Sequence, residues 1–595
     1  MMAVAINITC IRVGLLEELQ RKGVIVVSGP YCPIAVFWHN GQIYAVDNRC
    51  PHMGFPLHKG SVQDGILTCP WHHARFDLSC GCTFDLWADD VPSFPIEVRD
   101  GEVFVLVPTF EIERIRTHWL RRLREGIEHG LDLIIAKAVI HLLHSGVDYR
   151  ELVRIGADLG TRFRNSWASG MTILTAMANL VPLLPAEEAM RAIYHGLSHV
   201  ANDIQGQSTR RERQPLEGST ATFEQLKRWL RHWTLVRHRD GSERCLLTAI
   251  ANGATPMEVA DLLFTAATDR PFADGGHLFD FCNKAMELLD LIGWEFASQV
   301  LPTLMTQLVS SRGGEENSPW RYPIDLVELL RDAEDKLPEW LKEGRKRRSD
   351  AQASMPIPQL AQSLLNDEPK EILVALEEAT KSGMKPIELS KALCYAAALR
   401  IAKFGQSNEF GDWITVLHTF SYCNAVHQTL KRFGDDVPAE VVRSVWHGAM
   451  AVYLDRFLNI PPEPLPGERK PLDDLPTESR ELLRAILDAC DKTGQDLLVA
   501  ALTARYLQLS HPIEPLVATL AHCVLREDAD FHTFQMLEAG VRQFLEWGLT
   551  DEGNHILIAT ARYISAHAPT QRASEQTFKI ALRLHRGEEL YEEAS

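Results

Sequence analysis

Residues 50–77 read CPHMGFPLHKGSVQDGILTCPWHHARFD, and the four potential metal ligands in this stretch guide the interpretation of the whole chain. Cys50-Pro51-His52 and Cys69-Pro70-Trp71-His72 each offer one thiolate and one imidazole. The close spacing puts both ligands of a segment near the same point, so two loops can hold a flat cluster between them. Two cysteines and two histidines suit a structural zinc ion, or a two-iron, two-sulfide cluster in which imidazoles replace two thiolates on one iron.

The order of these ligands favours iron–sulfur chemistry over zinc. Zinc fingers usually keep their two cysteines together and their two histidines together, whereas here the two types alternate. A proline follows each cysteine, and Phe76-Asp77 follows the second segment. With these motifs, roughly the first hundred residues resemble the Rieske ferredoxin family. The resemblance implies a small antiparallel β-fold and a one-electron [2Fe–2S] centre, with Cys50 and Cys69 on one iron and His52 and His72 on the other.

Neighbouring residues refine this resemblance. His73 competes with His72 as a ligand, but the Cys-x-x-His spacing selects His72, and His58 is interpreted as a surface or supporting histidine. High-potential respiratory Rieske proteins carry an additional cysteine in each cluster loop, and these two cysteines form a disulfide. Here the corresponding places read Met53-Gly54-Phe55 and His73-Ala74-Arg75, so the resemblance points to the soluble ferredoxin or oxygenase type.

The remaining cysteines indicate the compartment. Twelve cysteines among 595 residues are too sparse for a disulfide framework, which predicts a reducing cytoplasm. The first residues lack a basic segment followed by an apolar run and a cleavage site, so no signal peptide is expected. Cys80 and Cys82, in the sequence SCGC, could form a redox pair or an additional metal handle, but free cysteines beside a loop are the simpler interpretation.

Charge and hydropathy exclude two classes of partner. A formal net charge of −18 argues against nucleic acid as the main partner. No apolar run free of charges reaches the length of about 18 residues that a membrane span needs. The most apolar helical run, residues 131–144, is interrupted by Lys137 and is too short. We therefore expect neither a nucleic-acid partner nor a membrane partner.

The periodicity of the sequence predicts a multidomain protein, an all-β Rieske domain followed by a large all-α domain. Residues 1–108 alternate β-branched or aromatic runs with turn signals, and Asn40-Gly41, Asp64-Gly65 and Asp100-Gly101 are strong hairpin turns. After Pro108 the pattern becomes helical. The predicted domains are the Rieske β-domain at 1–108, a linker helix at 109–125, helical half 1 at 126–345 and helical half 2 at 346–595.

The two helical halves are predicted from an internal duplication, which makes the all-α domain two tandem repeats. His195-Gly196 recurs as His447-Gly448, and His277 recurs as His532, both at a spacing of roughly 250 residues. The segment HLFDFCNKA from His277 also resembles HTFSYCNAV from His418, which suggests smaller repeats within each half.

The helical part contains candidate metal ligands. His195, His199 and Asp203 are spaced by four, on one face of a helix, and two histidines with a carboxylate are the ligand set of non-haem iron oxygenases. Eight residues of straight helix span about 12 Å, which is too far for one metal to bridge easily. The second half has Ala451 where His199 would correspond, so packing or hydrogen bonding is the favoured interpretation of His195 and His447.

Other histidines recur at repeat-like positions, and a pocket between the halves could collect them. The weaker candidates for a ligand or a general base are His277, His418 and His532. A second, non-haem iron bound by the helical part is therefore a further candidate cofactor. The segments ANGATPMEVADLLF and GGHLFDFCNKAMELL give this part a distant resemblance to questin-oxidase-like proteins, from which no residue is carried over.

These features predict an oxidoreductase, an iron–sulfur enzyme of the oxygenase type. Its [2Fe–2S] centre would accept single electrons from a reductase or ferredoxin and pass them to an oxygen-dependent site in, or docked on, the helical domain, where a small-molecule substrate reacts. The alternative is an electron-transfer or redox-sensing module fused to a helical-repeat scaffold without a second active site. A third option is a metal-free monooxygenase in the helical part. The sequence indicates neither the substrate nor the oligomeric state.

Overall fold

The structure is a computed structural model, and it describes residues 8–108, 112–349, 355–588 and 590. The chain divides into two compact units. One unit comprises Met1–Tyr149 together with Ala573–Ser595, and the other comprises Arg150–Arg572. The first unit is therefore discontinuous in sequence, because its second segment follows the whole of the other unit.

The strands of the first unit form three antiparallel sheets, with the orders β1-β10-β9, β2-β3-β4-β8 and β5-β6-β7. The predicted hairpin turns Asn40-Gly41, Asp64-Gly65 and Asp100-Gly101 are confirmed, and all six residues have positive φ, as type I′ turns require. The strands are β1 (Ile8–Leu15), β2 (Val24–Ser28), β3 (Pro33–His39), β4 (Gln42–Asp47), β5 (Ser61–Gln63), β6 (Ile66–Thr68), β7 (Arg75–Asp77), β8 (Ser93–Phe94), β9 (Ile96–Arg99) and β10 (Glu102–Pro108).

The β-sheets bury side chains on both faces. Along β3, Ile34 and Val36 join one apolar cluster while Ala35 and Phe37 join another, because successive side chains of a strand point to opposite faces. The cluster that contains Ala35 and Phe37 also contains Cys50 and Cys69. The two predicted thiolate ligands are therefore part of a packed core, which fixes their positions.

Among the described residues, the α-helices of the first unit are α1 (Leu16–Lys22), α2 (Ile112–His129), α3 (Asp132–His144) and, from the far segment, the helix over Ala573–His585, here α26. Arg122 of α2 is buried and donates hydrogen bonds to the carbonyl oxygens of Leu86 and Ala88, so α2 packs on the loops of the β-region. The imidazole of His585 on α26 stacks on that of His144 of α3, with ring centroids 4.6 Å apart.

The rest of the chain is helical, and no strand occurs in the described residues beyond 108. The helices are α4 (Tyr149–Arg162), α5 (Ser169–Leu180), α6 (Ala186–Ile204), α7 (Phe223–Leu235), α8 (Arg239–Ala251), α9 (Pro256–Ala267), α10 (His277–Ile292), α11 (Ala297–Val300), α12 (Met305–Ser310), α13 (Ser318–Arg321), α14 (Leu326–Ser349), α15 (Ile357–Ser363), α16 (Pro369–Lys381), α17 (Pro386–Ala402), α18 (Phe410–Phe433), α19 (Ala439–Val442), α20 (Ser444–Leu454), α21 (Ser479–Cys490), α22 (Asp496–Gln508), α23 (Ile513–Leu525), α24 (Phe531–Trp547) and α25 (Asp551–Ala566).

Local sequence explains several helix boundaries. At α9, the Thr255 side chain accepts a hydrogen bond from the N–H of Glu258, while Glu258 accepts one from the N–H of Thr255, which is a capping box. Pro256 occupies the first helical position, where its missing N–H costs nothing. Within the described residues, the helices are too short or too polar to cross a lipid bilayer.

The predicted fold class is confirmed in that an N-terminal β-domain precedes a predominantly helical region. The predicted boundaries at 108, 125 and 345, and the duplication into two tandem halves, stay predictions. Residues 109–111 of the predicted linker helix and residues 350–354 of the predicted helical half 2 lie outside the described residues.

Candidate functional site

The first ligand-bearing loop, residues 48–60, connects β4 to β5 through a tight turn at Cys50. The Cys50 N–H donates to the carbonyl oxygen of Phe55 at 2.8 Å, and the Gly54 N–H donates to the carbonyl oxygen of Cys50 at 2.7 Å. Gly54 has a φ of 80°, a left-handed conformation that glycine adopts at little cost. This turn carries the thiol of Cys50 and the imidazole of His52, which are two positions apart in the chain.

The second loop, residues 69–74, connects β6 to β7 and repeats the same two hydrogen bonds. The Cys69 N–H donates to the carbonyl oxygen of Ala74 at 2.8 Å, and the His73 N–H donates to the carbonyl oxygen of Cys69 at 3.0 Å. His73 has a φ of 62° and so occupies the left-handed position that Gly54 has in the first loop. His73 therefore completes the turn, while His72 lies one position further from its cysteine than His52 does from Cys50.

The two thiols are buried against each other. Cys50 and Cys69 lie within hydrogen-bonding reach of one another, and this contact lowers the pKa of Cys69 to about 6 while it raises the pKa of Cys50. Main-chain N–H groups of each loop also point at its own sulfur, which favours the thiolate. The donors are His52 and Met53 for Cys50, and Trp71 and His72 for Cys69.

The two imidazoles also face each other. The ring centroids of His52 and His72 are 4.8 Å apart, with an interplanar angle of 88°. Nδ1 of His52 is buried and has no hydrogen-bond partner among the described residues. Burial lowers the pKa of His52 to about 4, so its imidazole is neutral and can bind a metal at pH 7. Trp87 packs edge-on against His52, and Trp71 packs against the exposed His72.

These residues fit a [2Fe–2S] cluster of mixed ligation. Two buried sulfurs that receive main-chain N–H groups suit thiolates bound to iron, since hydrogen bonds to the sulfurs help to set the potential of such clusters. The buried, unpartnered Nδ1 of His52 suits a nitrogen ligand, because a buried polar atom without a partner is costly. The structure thus places the two predicted thiolate ligands against each other and the two predicted imidazole ligands against each other, although each pair comes from two separate loops.

A lysine outside the β-region lies against the first loop. Nζ of Lys137, on α3, donates hydrogen bonds to the carbonyl oxygens of Pro51 and His52, the latter at 2.8 Å. The side chain is only 5% exposed, and burial lowers the pKa of Lys137 to about 8, so the ammonium remains the main form at pH 7. In the sequence, Lys137 stands out only as the interruption of an apolar run, and that interruption is the signal of this contact.

The residues beside the loops have supporting positions. The His58 N–H donates to Oδ1 of Asn48 at 2.8 Å, and the His58 ring also reaches this oxygen, so His58 supports the first loop as expected. The interpretation of Cys80 and Cys82 as free cysteines is wrong, because their sulfurs are joined in a disulfide. The two residues are separated by one glycine, so the sulfurs are already close along the chain.

The predicted candidates on α6 have main-chain partners. Nε2 of His195 is 2.7 Å from the carbonyl oxygen of Leu525, and Nδ1 of His199 is 2.8 Å from the carbonyl oxygen of His195. Oδ2 of Asp203 accepts a hydrogen bond from the Gly170 N–H at 2.7 Å. The contact of His195 agrees with the favoured interpretation of this residue, and His199 and Asp203 also have main-chain partners.

His447, on α20, also has a structural partner. Its Nε2 lies 2.8 Å from Oε1 of Glu334, and the guanidinium of Arg443 pairs with the same carboxylate. This contact holds the Nε2 side of the buried imidazole, whereas its Nδ1 has no hydrogen-bond partner among the described residues.

Three other predicted histidines do come together. His277, His418 and His532 lie on α10, α18 and α24, and their ligand nitrogens are all within 4.8 Å of one another. Burial lowers the pKa of His277 to about 4 and that of His418 to about 3, so both imidazoles are neutral at pH 7. The described residues contain one further group of this kind, Asp89, Asp90 and His118 in the first unit.

Comparison with known proteins identifies relatives of the β-region. The profile of the Rieske [2Fe-2S] domain matches residues 10–95. The 3-phenylpropionate/cinnamic acid dioxygenase ferredoxin subunit of Photorhabdus laumondii is 36% identical over 94 residues, which are 15% of this chain and 88% of that protein. Human apoptosis-inducing factor 3 is 37% identical over 67 residues, 11% of each chain.

A solved structure is similar over the same share of the chain. The ferredoxin of carbazole 1,9a-dioxygenase from Nocardioides aromaticivorans is 25% identical, and the match covers 16% of this chain and 96% of that one, with a TM-score of 0.16. The profile match ends at residue 95, so it does not extend into the helical region.

Proposed function

The chain belongs to the Rieske [2Fe–2S] family through residues 10–95, and from this we propose that it is an oxidoreductase whose cluster delivers single electrons to an oxygen-dependent site in, or docked on, its helical region. The observation that supports the electron-transfer role is the pair of matching turns, in which the thiols of Cys50 and Cys69 contact each other and the rings of His52 and His72 face each other. The similarity to the ferredoxin subunit of a dioxygenase supports the oxygen-dependent reaction class.

Each residue of the two loops has a distinct task in this proposal. Cys50 and Cys69 hold one iron and His52 and His72 hold the other, and the bound cluster supplies a reversible one-electron couple. The main-chain N–H groups near the sulfurs offset part of the negative charge of the thiolates. The packed core around both cysteines keeps water away from the sulfur side.

Electrons enter and leave on the imidazole side. His72 is exposed, and Trp71 beside it is 39% exposed, whereas both cysteines are buried. A reductase or ferredoxin that docks here reaches an imidazole edge without any rearrangement of the loops. We expect the same exposed edge to serve the acceptor of the electrons.

The metal content of the purified full chain tests this proposal. Anaerobic preparation is expected to give a coloured protein with two irons and two acid-labile sulfides in the β-domain, and a low-temperature electron paramagnetic resonance signal on reduction. The double variant Cys50→Ser/Cys69→Ser should lose the sulfide, the colour and the signal. A colourless wild-type protein that contains zinc in place of iron would contradict the proposal.

Replacing Lys137 with methionine is expected to make the midpoint potential of the cluster more negative. The reduced cluster carries one more negative charge, and the variant removes a buried cation that lies directly behind His52. The Lys137→Arg variant keeps the charge and is expected to shift the potential less. A redox titration followed by electron paramagnetic resonance measures the midpoint potentials of both variants. Equal potentials in the wild type and Lys137→Met would show that Lys137 only holds the first loop in place through its hydrogen bonds.

A further inference from the structure

Three related segments of the helical unit meet at their histidines. The segments that start at His277, His418 and His532 each continue with leucine or threonine and then phenylalanine, and each lies on a different helix. The ring centroids of His277 and His418 are 4.4 Å apart, and those of His418 and His532 are 4.9 Å apart. Residues separated by more than a hundred positions in sequence thus converge on one point.

The nitrogen positions suit a shared metal ion. Nε2 of His418 and Nε2 of His532 are 2.9 Å apart. Two nitrogens bound to one metal at about 2.0–2.1 Å, and at roughly a right angle, lie about 2.9 Å from each other. On its other side, Nδ1 of His532 is 3.4 Å from Oδ2 of Asp530, and carboxylates commonly orient a metal-binding histidine in this way.

The backbone before His277 is held in an unusual conformation. Phe272 and Asp274 have φ values of 47° and 56°, in the left-handed region that residues other than glycine rarely adopt. Gly275 and Gly276 follow with positive φ, and a Cβ at residue 275 would lie 3.5 Å from Nδ1 of His418. Conformations of this kind persist where the surrounding structure enforces them, often at functional sites.

A cavity of about 470 Å³ opens beside His418. This volume is within the range of about 300–1,000 Å³ that is typical of small-molecule sites. Its wall is largely apolar, and the aromatic residues that contribute to it are Phe272, Trp320, Tyr322, Tyr453 and Phe457. The cavity and the three histidines therefore share His418, which connects a potential metal site to a potential substrate site.

The buried carboxyl group of Asp455 also lines this cavity; burial raises its pKa to about 7, and the Thr419 side chain hydrogen-bonds to it. Asp455 is 4% exposed, and its Oδ2 has no hydrogen-bond partner among the residues that the structure describes. A buried polar atom without a partner is unfavourable, and a ligand that supplies a hydroxyl group would satisfy it. Thr419 is a second polar residue of the cavity wall, next to His418 in the sequence.

We propose that His277, His418 and His532 bind one divalent transition-metal ion, and that the adjoining cavity binds a flat, mainly apolar molecule whose hydroxyl group hydrogen-bonds to Asp455. Imidazole ligands suit iron, copper, nickel and zinc, and three protein ligands leave coordination positions open. The assignment of this ion as iron rests on the proposed function, because iron can use single electrons from the cluster. The existence of the site does not depend on it.

Cobalt(II) binding to the full chain tests the metal site separately from the cluster. In the Cys50→Ser/Cys69→Ser background, we expect one equivalent of cobalt(II) to bind, with the visible absorption of nitrogen coordination. His418→Ala or His532→Ala should weaken binding by more than about 100-fold, since even residues that only support a ligand contribute about 10–100-fold. Absence of cobalt binding in this background overturns the metal site and leaves the cluster assignment untouched.

Two control variants distinguish this site from other histidines. His118→Ala removes the histidine of the other described group, and His511→Ala removes a half-buried histidine whose Nε2 lies 2.8 Å from the carbonyl oxygen of Thr477. Both should bind cobalt(II) like the parent chain, and loss of binding in His118→Ala with retention in His418→Ala would overturn the proposal. Helical circular dichroism checks each fold, and His418→Gln, which keeps a polar side chain, replaces His418→Ala if the alanine variant unfolds.

Binding of 1-naphthol, followed by its fluorescence, tests the cavity. Ala451→Trp fills the cavity and should abolish binding, whereas cobalt(II) still binds. Asp455→Ala removes the acceptor and should weaken naphthol binding by about tenfold. Phe457→Ala should also weaken naphthol binding. Because Phe457 is 61% exposed, we expect this substitution to leave the fold intact. Equal naphthol affinity in the parent chain and these variants, or no binding at all, would overturn the cavity assignment.

Discussion

Replacement of His72 by cysteine is expected to lower the midpoint potential of the cluster by a few hundred millivolts. Rieske centres lie at about −150 to +300 mV, whereas plant-type clusters with four thiolates lie near about −400 mV. A thiolate in place of the neutral imidazole adds a negative charge at the exposed iron, which disfavours the uptake of another electron. Redox titration and the electronic absorption spectrum of the variant measure the change.

The neighbouring histidine supplies a matched control. His73 has a φ of 62° and completes the turn, so His73→Asn should keep both the loop and the potential, because asparagine tolerates this conformation. If His73→Asn shifts the potential while His72→Cys leaves the spectrum unchanged, the assignment of the ligand is wrong.

Loss of the buried ammonium of Lys284 is expected to destabilise the helical unit by about 3–5 kcal/mol. Nζ of Lys284 lies 2.9 Å from Oε2 of Glu287 and 2.9 Å from Oε2 of Glu538, and Arg542 pairs with the same two carboxylates. The Lys284 side chain is 1% exposed. Lys284→Met leaves two buried carboxylates with one cation, and this uncompensated charge reduces the free energy of unfolding.

Chemical denaturation followed by helical circular dichroism measures this loss. Lys431→Met is the control, because Lys431 pairs with Glu546 at the surface and is 57% exposed, so its removal should cost at most about 1 kcal/mol. In the double variant Lys284→Met/Glu538→Leu, one carboxylate and one cation remain in balance, and we expect part of the stability to return. A loss for Lys284→Met no larger than that for Lys431→Met would contradict this account.

The cluster loops and hairpins were predictable because their signals are local. Asn40-Gly41 and Asp64-Gly65 determine their turns through two adjacent residues, and the ligands of each loop are at most three positions apart. Local spacing also distinguishes His72 from His73, and the turn gives His73 the left-handed position that Gly54 has in the first loop. Both kinds of signal depend on residues that are only a few positions apart, so a single sequence is enough to show them.

The helical site was less predictable because it depends on packing between distant helices. His195 and His199 have a spacing of four that would place two metal ligands on one face of a helix, yet each hydrogen-bonds to a main-chain oxygen. His277, His418 and His532 have no mutual spacing rule, and their approach follows from how three helices pack. The shared His-x-Phe beginning of their segments was the available signal, and it indicated repetition rather than proximity.

The discontinuous first unit has a consequence for the timing of synthesis. α3, which carries Lys137, ends at His144, whereas its neighbour α26 begins at Ala573. At roughly 5–20 residues per second, a ribosome makes α26 about 20–90 s after α3. During that interval the face of α3 that contacts His585 is exposed to solvent. This face therefore stays uncovered long after the β-strands have been synthesised. The first unit therefore completes its fold only after α26 has been made, although its strands are translated much earlier.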